Sequence, residues 1–191
     1  MVEITQHIES YLGIKPKEFA QIEDFFIAQE VKKGDYLLQS GKYNSDLSFV
    51  KSGYIRMYNI DDKSGKEITQ WIATPGSFVT DISSLFFGKP SRWNIQSISD
   101  SELLTITYDN YQKIGNHIDN WPMLEKLFMA KCFSTLEDRV YSHLSMTSEE
   151  RYRFFFEYNP NLFNQVPLQY IASMLGMTPE TFSRIRKKLS S

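Results

Sequence analysis

The chain has 191 residues, 23 acidic and 21 basic, with 41 % hydrophobic and 15 % aromatic residues and a formal charge of −2 at neutral pH. That composition fills a core and excludes a surface that coats polyanions throughout, so any nucleic-acid contact is a local patch. A single cysteine excludes an internal disulfide, no apolar run approaches the roughly 18–20 residues that span a bilayer, and the opening MVEITQHIES lacks the pattern of a signal peptide, which together predict a cytoplasmic protein.

The first 30 residues read as helical, with Ile8, Tyr11 and Leu12 on one face and Phe19, Ile22, Phe25 and Phe26 following at three-to-four spacing. From Gly34 the texture changes. Glycines fall at 34, 41, 53, 65, 76 and 88, and between them lie β-rich runs such as Leu47–Val50, Tyr54–Tyr58 and Ile68–Ile72. Turn signals about every 8 to 12 residues between short alternating strands indicate an antiparallel jelly-roll-like barrel, here over residues 30–108. Asp61-Asp62-Lys63-Ser64-Gly65 reads as a polar hairpin loop at the surface.

Past Trp121-Pro122 a long helix of about 22 residues carries two apolar stripes, one of Leu124, Leu127 and Phe128, the other of Met129, Cys132, Phe133, Leu136, Val140 and Leu144. Two stripes need two partners. The barrel is one; the second is either another copy of the helix, which makes a dimer seam, or burial within the same chain. Thr147-Ser-Glu-Glu150 fits a capping box that opens the next helix, through Arg151 to Tyr158, and sets a boundary near 146.

Leu168, Ile171, Ala172 and Leu175 form the apolar face of a two-turn helix after Pro167, with Gly176 placed to end it. Thr178 as N-cap and Pro179 as first helical residue start another. There Phe182, Ile185 and Leu189 pack inward while Glu180, Ser183, Arg184 and Lys187 face out, and Arg184, Arg186, Lys187 and Lys188 make a basic cluster. Helix, tight turn with glycine and a second helix with polar residues near its start describe a helix-turn-helix that enters the major groove, where Arg reads guanine and Glu accepts from cytosine. The competing reading is a module whose terminal helices dock a protein partner; an apolar anchor on the outer face would favour it.

Ile171-Ala-Ser-Met-Leu-Gly-Met-Thr-Pro-Glu-Thr-Phe-Ser-Arg184 resembles the I-x-x-x-L-G-x-[ST]-x-E-T-x-S-R signature of the bacterial CRP/FNR transcription regulators, and the order of barrel, long helix and helix-turn-helix is similar along essentially the whole chain. The resemblance implies an α+β fold. It consists of an effector domain of cyclic-nucleotide-binding type at 1–115, a dimerisation helix at 116–146 and a DNA-binding helix-turn-helix at 147–191. It implies base reading by Glu180, Ser183 and Arg184 at TTGA-like half-sites of an inverted repeat. Phosphate contacts are expected from Thr178, Thr181, Arg186, Lys187 and Lys188. Double-stranded DNA, a second copy of the chain and RNA polymerase are the expected partners. The β-hairpin wing usual after the recognition helix has no counterpart before Ser191, so some phosphate contacts are expected to be lacking or supplied elsewhere.

Cyclic-AMP binders of that family carry G-E-L in the barrel, then R-S or R-T. Here Thr80-Asp81-Ile82 and Ser91-Arg92-Trp93 stand in those places. Gly76, Ser77, Asp81, Ile82, Ser84, Arg92 and Trp93 are the expected effector pocket; the shorter Asp81 and the bulkier Trp93 predict a ligand other than cyclic AMP, or none. No cofactor is expected: His7, His117 and His143 lie outside the barrel stretch, one cysteine cannot ligate an iron–sulfur cluster, and there is no G-x-S-x-G elbow, so neither metal site nor enzyme is predicted.

Overall fold

The structure, a computed structural model, describes residues 2–43 and 46–189. Helix α1 (Val2–Leu12) ends at Gly13, whose φ of 71° lies in the left-handed region, and the single-turn α2 (Pro16–Phe19) starts on a proline. The expected helical stripe through Phe25 and Phe26 breaks here: Glu23–Phe25 is a 3₁₀ turn and strand β1 (Phe26–Val31) follows at once. β1 pairs antiparallel with β8 (Ser101–Ile106) from Phe26 opposite Ile106 to Val31 opposite Ser101. A Phe-Ile run with a ladder partner gains more from pairing and cross-strand packing than from one more turn of helix.

Between these strands lie β2 (Tyr36–Leu38), β3 (Leu47–Ser52), β4 (Ile55–Ile60), β5 (Glu67–Ala73), β6 (Phe78–Val79) and β7 (Asn94–Ser97). They form two antiparallel four-stranded sheets, ordered β1-β8-β3-β6 and β2-β7-β4-β5. Every strand sends a side chain into one shared core, from Val31, Leu38, Val50, Met57 and Ala73 to Val79, Ile95 and Leu103. Between β6 and β7 a short helix, α3 (Ile82–Phe87), interrupts the barrel; Asp81 caps its start and Gly88, at φ 59°, its end. The β4–β5 register slips: Met57 faces Trp71 but Tyr58 faces Thr69, leaving Gln70 as a bulged extra residue on the same side as its neighbour.

Helix α4 (Tyr108–Lys113) leads to the long α5 (Trp121–Ser145). Its inner face, Trp121, Leu124 and Phe128, packs with α1 residues Ile8 and Leu12 and with Leu47 and Ile106 of the barrel wall. Leu127, expected on this face, points outward at 52 % exposure. Phe133, Leu136, Val140 and Leu144 are all exposed, Leu144 by 82 %, so one apolar stripe of α5 is uncovered by its own chain.

Helix α6 (Ser148–Tyr158) opens with the expected capping box: the Glu150 N–H donates to Thr147 Oγ1 at 3.3 Å and the Thr147 N–H donates to Glu150 Oε2 at 2.8 Å. Helix α7 (Leu162–Gln165) precedes α8 (Leu168–Met174) and α9 (Pro179–Leu189). Gly176 at φ 68° ends α8, its N–H reaching the Ser173 carbonyl at 3.0 Å and that of Met177 reaching Ala172 at 2.9 Å. The core of α6 to α9, centred on Tyr152, Phe163, Ile171 and Phe182, continues into Tyr54, Ile72 and Ile98 of the barrel.

Candidate nucleic-acid interface and effector cavity

Phe182 and Ile185 bury one face of α9, and each contributes about 1.5–3 kcal/mol by leaving water. That burial fixes the other face. Glu180, Ser183, Arg184 and Lys187 are exposed on it, and Thr178 receives the Thr181 N–H at 3.2 Å. Glu180's carboxyl is held below the ordinary carboxylate range, first by hydrogen bonding to its own backbone N–H, then by Thr178, with Lys66 of the β4–β5 hairpin adding attraction. It is therefore an anion at neutral pH, an acceptor only. Of the other basic residues, Arg186 is half-buried. Lys188 donates to Glu149 of α6 at 2.7 Å, a carboxylate that Arg153 also holds at 3.0 Å, so its charge is already paired.

The hairpin reaches α9 because α8 lies against β5. Thr69 N–H donates to Ser173 Oγ at 2.9 Å, and that hydroxyl donates to the Glu67 carbonyl at 3.2 Å. Beside this seam Arg56 of β4 is 1 % exposed. Its guanidinium lies between the rings of Tyr58 and Tyr170, 4.2 and 3.7 Å from their centroids. Nε donates to Thr69 Oγ1 at 2.9 Å and Nη1 to Glu67 Oε2 at 2.5 Å. A buried cation with two aromatic faces and a carboxylate thus ties the barrel to α8. From the far side, Arg139 of α5 donates to the Met174 carbonyl at 3.0 Å, and burial pushes its guanidinium pKa down.

A cavity opens between the barrel and α5. Its outer lobe, about 160 Å³, is walled by Met57, Trp71, Phe78 and Ile82 on one side and Phe128 and Leu136 on the other. A second pocket of about 110 Å³, on the barrel side, shares Val79 and Thr80 with it and adjoins it as an inner lobe. Of the expected pocket residues, Ser77 and Ile82 line the outer lobe and Asp81 the inner one. Gly76 instead abuts His7 in a turn, Ser84 is buried in α3, Arg92 is exposed and Trp93 packs half-buried on the barrel core, none of them at the cavity.

The Asp81 carboxylate is already engaged: one oxygen receives the Ser83 and Ser84 N–H groups at 2.8 and 3.3 Å, the other the Ser91 hydroxyl at 2.6 Å. Its bonds hold α3 in place. The Asp-x-Ser-Ser start at Asp81 with Gly88 seven residues on is a legible helix signal; Gln70, placed at the cavity by the bulge, is not. Among the described residues no three His, Cys, Asp or Glu side chains gather as a metal site, and no helix is long and apolar enough to cross a membrane.

Residues 28–117 match the cyclic nucleotide-binding domain family. The architecture as a whole is similar to those of solved regulators. FixK2 from Bradyrhizobium japonicum shares 19 % identity over 86 % of this chain and 84 % of its own, with a TM-score of 0.74. The c-di-GMP responsive global regulator CLP from Xanthomonas campestris shares 15 % over 91 % of both chains, at 0.69. The catabolite activator protein of Thermus thermophilus shares 21 % over 93 % of this chain and 84 % of its own, at 0.57. No curated protein matches the sequence.

Proposed function

From a chain that carries a cyclic nucleotide-binding domain on the fold of the CRP/FNR regulators, we propose a sequence-specific DNA-binding transcription regulator, acting in the cytoplasm as a homodimer on an inverted repeat with TTGA-like half-sites. The observation that carries this reading is the outward face of α9: one anionic acceptor, one hydroxyl, one guanidinium and one ammonium, with no apolar anchor among them. A docking helix for a protein partner would show such an anchor.

Arg184 donates to O6 and N7 of a guanine, Glu180 accepts from N4 of a cytosine, and Ser183 adds a hydroxyl contact. Thr178, Thr181, Arg186 and Lys187 serve phosphates, and Lys188 joins them by exchanging its bond to Glu149 for one to the backbone. Pairing of two α5 helices along Phe133, Leu136, Val140 and Leu144 covers the exposed stripe and sets two α9 helices one helical turn apart, about 34 Å. An effector other than cyclic AMP in the cavity, pressed against α5, biases the placement of the two heads, and RNA polymerase is the machinery that reads the outcome.

Fluorescence anisotropy with an inverted TTGA duplex against a scrambled one, at fixed moderate salt, tests the reading. Selective binding is the expected result. Equal binding to both, with or without added small molecules, would refute sequence-specific regulation.

A further inference from the structure

The two lobes of the cavity differ in chemistry, and the difference selects a ligand. We propose that the cavity takes an amphipathic small molecule with an apolar body and an uncharged or cationic hydrogen-bond-donating head, and rejects anions. This rests on the effector reading of the same cavity.

Three hydroxyls of the inner lobe have their protons already committed. Thr80 donates to the Asp46 carbonyl at 2.9 Å, Thr105 donates to Gln29 Oε1 at 3.3 Å, and the Ser48 hydroxyl shares a 2.9 Å bond with that of Thr105. A hydroxyl has one proton and two lone pairs, so what these groups have left to offer a guest is acceptor capacity. Asp46 and Asp81 add carboxylates, and no Lys or Arg is among the described residues lining this lobe. A phosphate or carboxylate head would meet like charges in a partly enclosed space, where their repulsion is poorly screened, with the Gln29 amide and the Tyr36 hydroxyl as the side-chain donors among the described lining residues. An ammonium or a hydroxyl would meet acceptors.

The outer lobe supplies an independent pointer. Its walls are mostly apolar; Ser77, Thr80, Thr135 and Lys131 line it too, and Gln70 among the polar ones has its Oε1 buried without a hydrogen-bond partner among the described residues. A buried acceptor left unmade is costly, and the bulge that delivers Gln70 there is a built feature rather than a slip. A donor on the guest satisfies it. Lys131, a cation on this wall, is turned to the Ser10 carbonyl at 2.9 Å and lies over the Tyr11 ring at 4.3 Å, away from a head placed in the barrel. Phe128, Cys132, Thr135 and Leu136 present one face of α5 to the guest, so its body bears on the helix that carries the exposed stripe.

Three probes with one body and different heads decide the matter: 2-phenylethylamine, 2-phenylethanol and phenylacetate, with cyclic AMP and cyclic di-GMP as large anions. Cys132 is the single cysteine and lines the outer lobe, so its alkylation by N-ethylmaleimide reports occupancy, and calorimetry with the same probes gives Kd. The amine and the alcohol should slow alkylation and bind, phenylacetate and both cyclic nucleotides should not, and Gln70→Leu should weaken the amine by roughly tenfold, the scale of one buried hydrogen bond. Tighter binding of any anion than of the amine, or no binding of amine and alcohol by either method, overturns the proposal. DNA is absent from these measurements, so their failure leaves the anisotropy result standing, and the reverse holds too.

Discussion

Removing the charge from the Arg56 seam should cost less than removing its counter-charge. Arg56 is 1 % exposed, whereas the Glu67 side chain is 45 % exposed. Glu67→Gln leaves a guanidinium buried between Tyr58 and Tyr170 with no anion, a loss of about 3 kcal/mol on the scale of broken buried pairs. Arg56→Met keeps most of the apolar stem between the rings and gives up two cation–π contacts of about 0.5–2 kcal/mol each and the bond to Thr69. It also abolishes the desolvation cost of the charge, and Glu67 turns to water; the net loss is about 1–2 kcal/mol. For a chain of this length that is a fall in Tm of roughly 10 °C for Glu67→Gln against roughly 4 °C for Arg56→Met. Thermal melting followed by circular dichroism measures both, and the double variant should match Arg56→Met alone. If Arg56→Met melts at or below Glu67→Gln, the stacked rings rather than the ion pair hold the seam and the reasoning fails.

Arg184→Ala should cost about 1–3 kcal/mol in DNA binding and relax preference at one base position, whereas Lys187→Ala should weaken all duplexes evenly and lower the salt slope by about 1, both read by anisotropy; unchanged discrimination in Arg184→Ala would refute its role. Val140→Glu on the exposed stripe of α5 should yield a folded monomer by analytical ultracentrifugation, and a persisting dimer would refute the seam. Glu149's carboxyl is held below its ordinary range, first by the hydrogen bond from Lys188, then by Arg153. Its folded pKa being the depressed one, the stability it lends is present above the ordinary carboxylate range and is lost as pH falls through the folded value. In an NMR titration Lys188→Met should move that pKa up, and no movement would refute the pairing.

The elements with local punctuation were legible in the sequence. Thr147 and Glu150 announce α6, Gly176 ends α8, and Thr178-Pro179 starts α9, because caps are contacts within three or four residues. In the sequence the start of β1 reads as helix because Phe19, Ile22 and Phe26 recur at helical spacing, while the ladder that decides the matter joins Phe26 to Ile106, eighty residues on. The outward face of α9 follows from periodicity, since Phe182 and Ile185 fix it. The cavity does not, because it combines a bulge at Gln70, a barrel lip at Thr80 and a face of α5. Neither does the burial of Arg56: a lone Arg between Ile55 and Met57 reads as solvent-facing until Tyr170 arrives from more than a hundred positions away.

The junction of α5 and α6 is closed by a single side chain. Arg151, buried in the first turn of α6, points its Nη1 at the carbonyls of Ser142, His143 and Met146 at 3.2, 3.4 and 3.4 Å, where the dipole of a long helix ends. The consequence is modular. The two residues between the helices look like the place to cut, yet a foreign head grafted at 146 would take the guanidinium from all three carbonyls and leave only that of Ser142 with a bond, from the N–H of residue 146. One grafted after Arg151 carries the clasp with it and inherits the angle of the shaft, which makes Arg151, rather than the loop, the edge of a transplantable part.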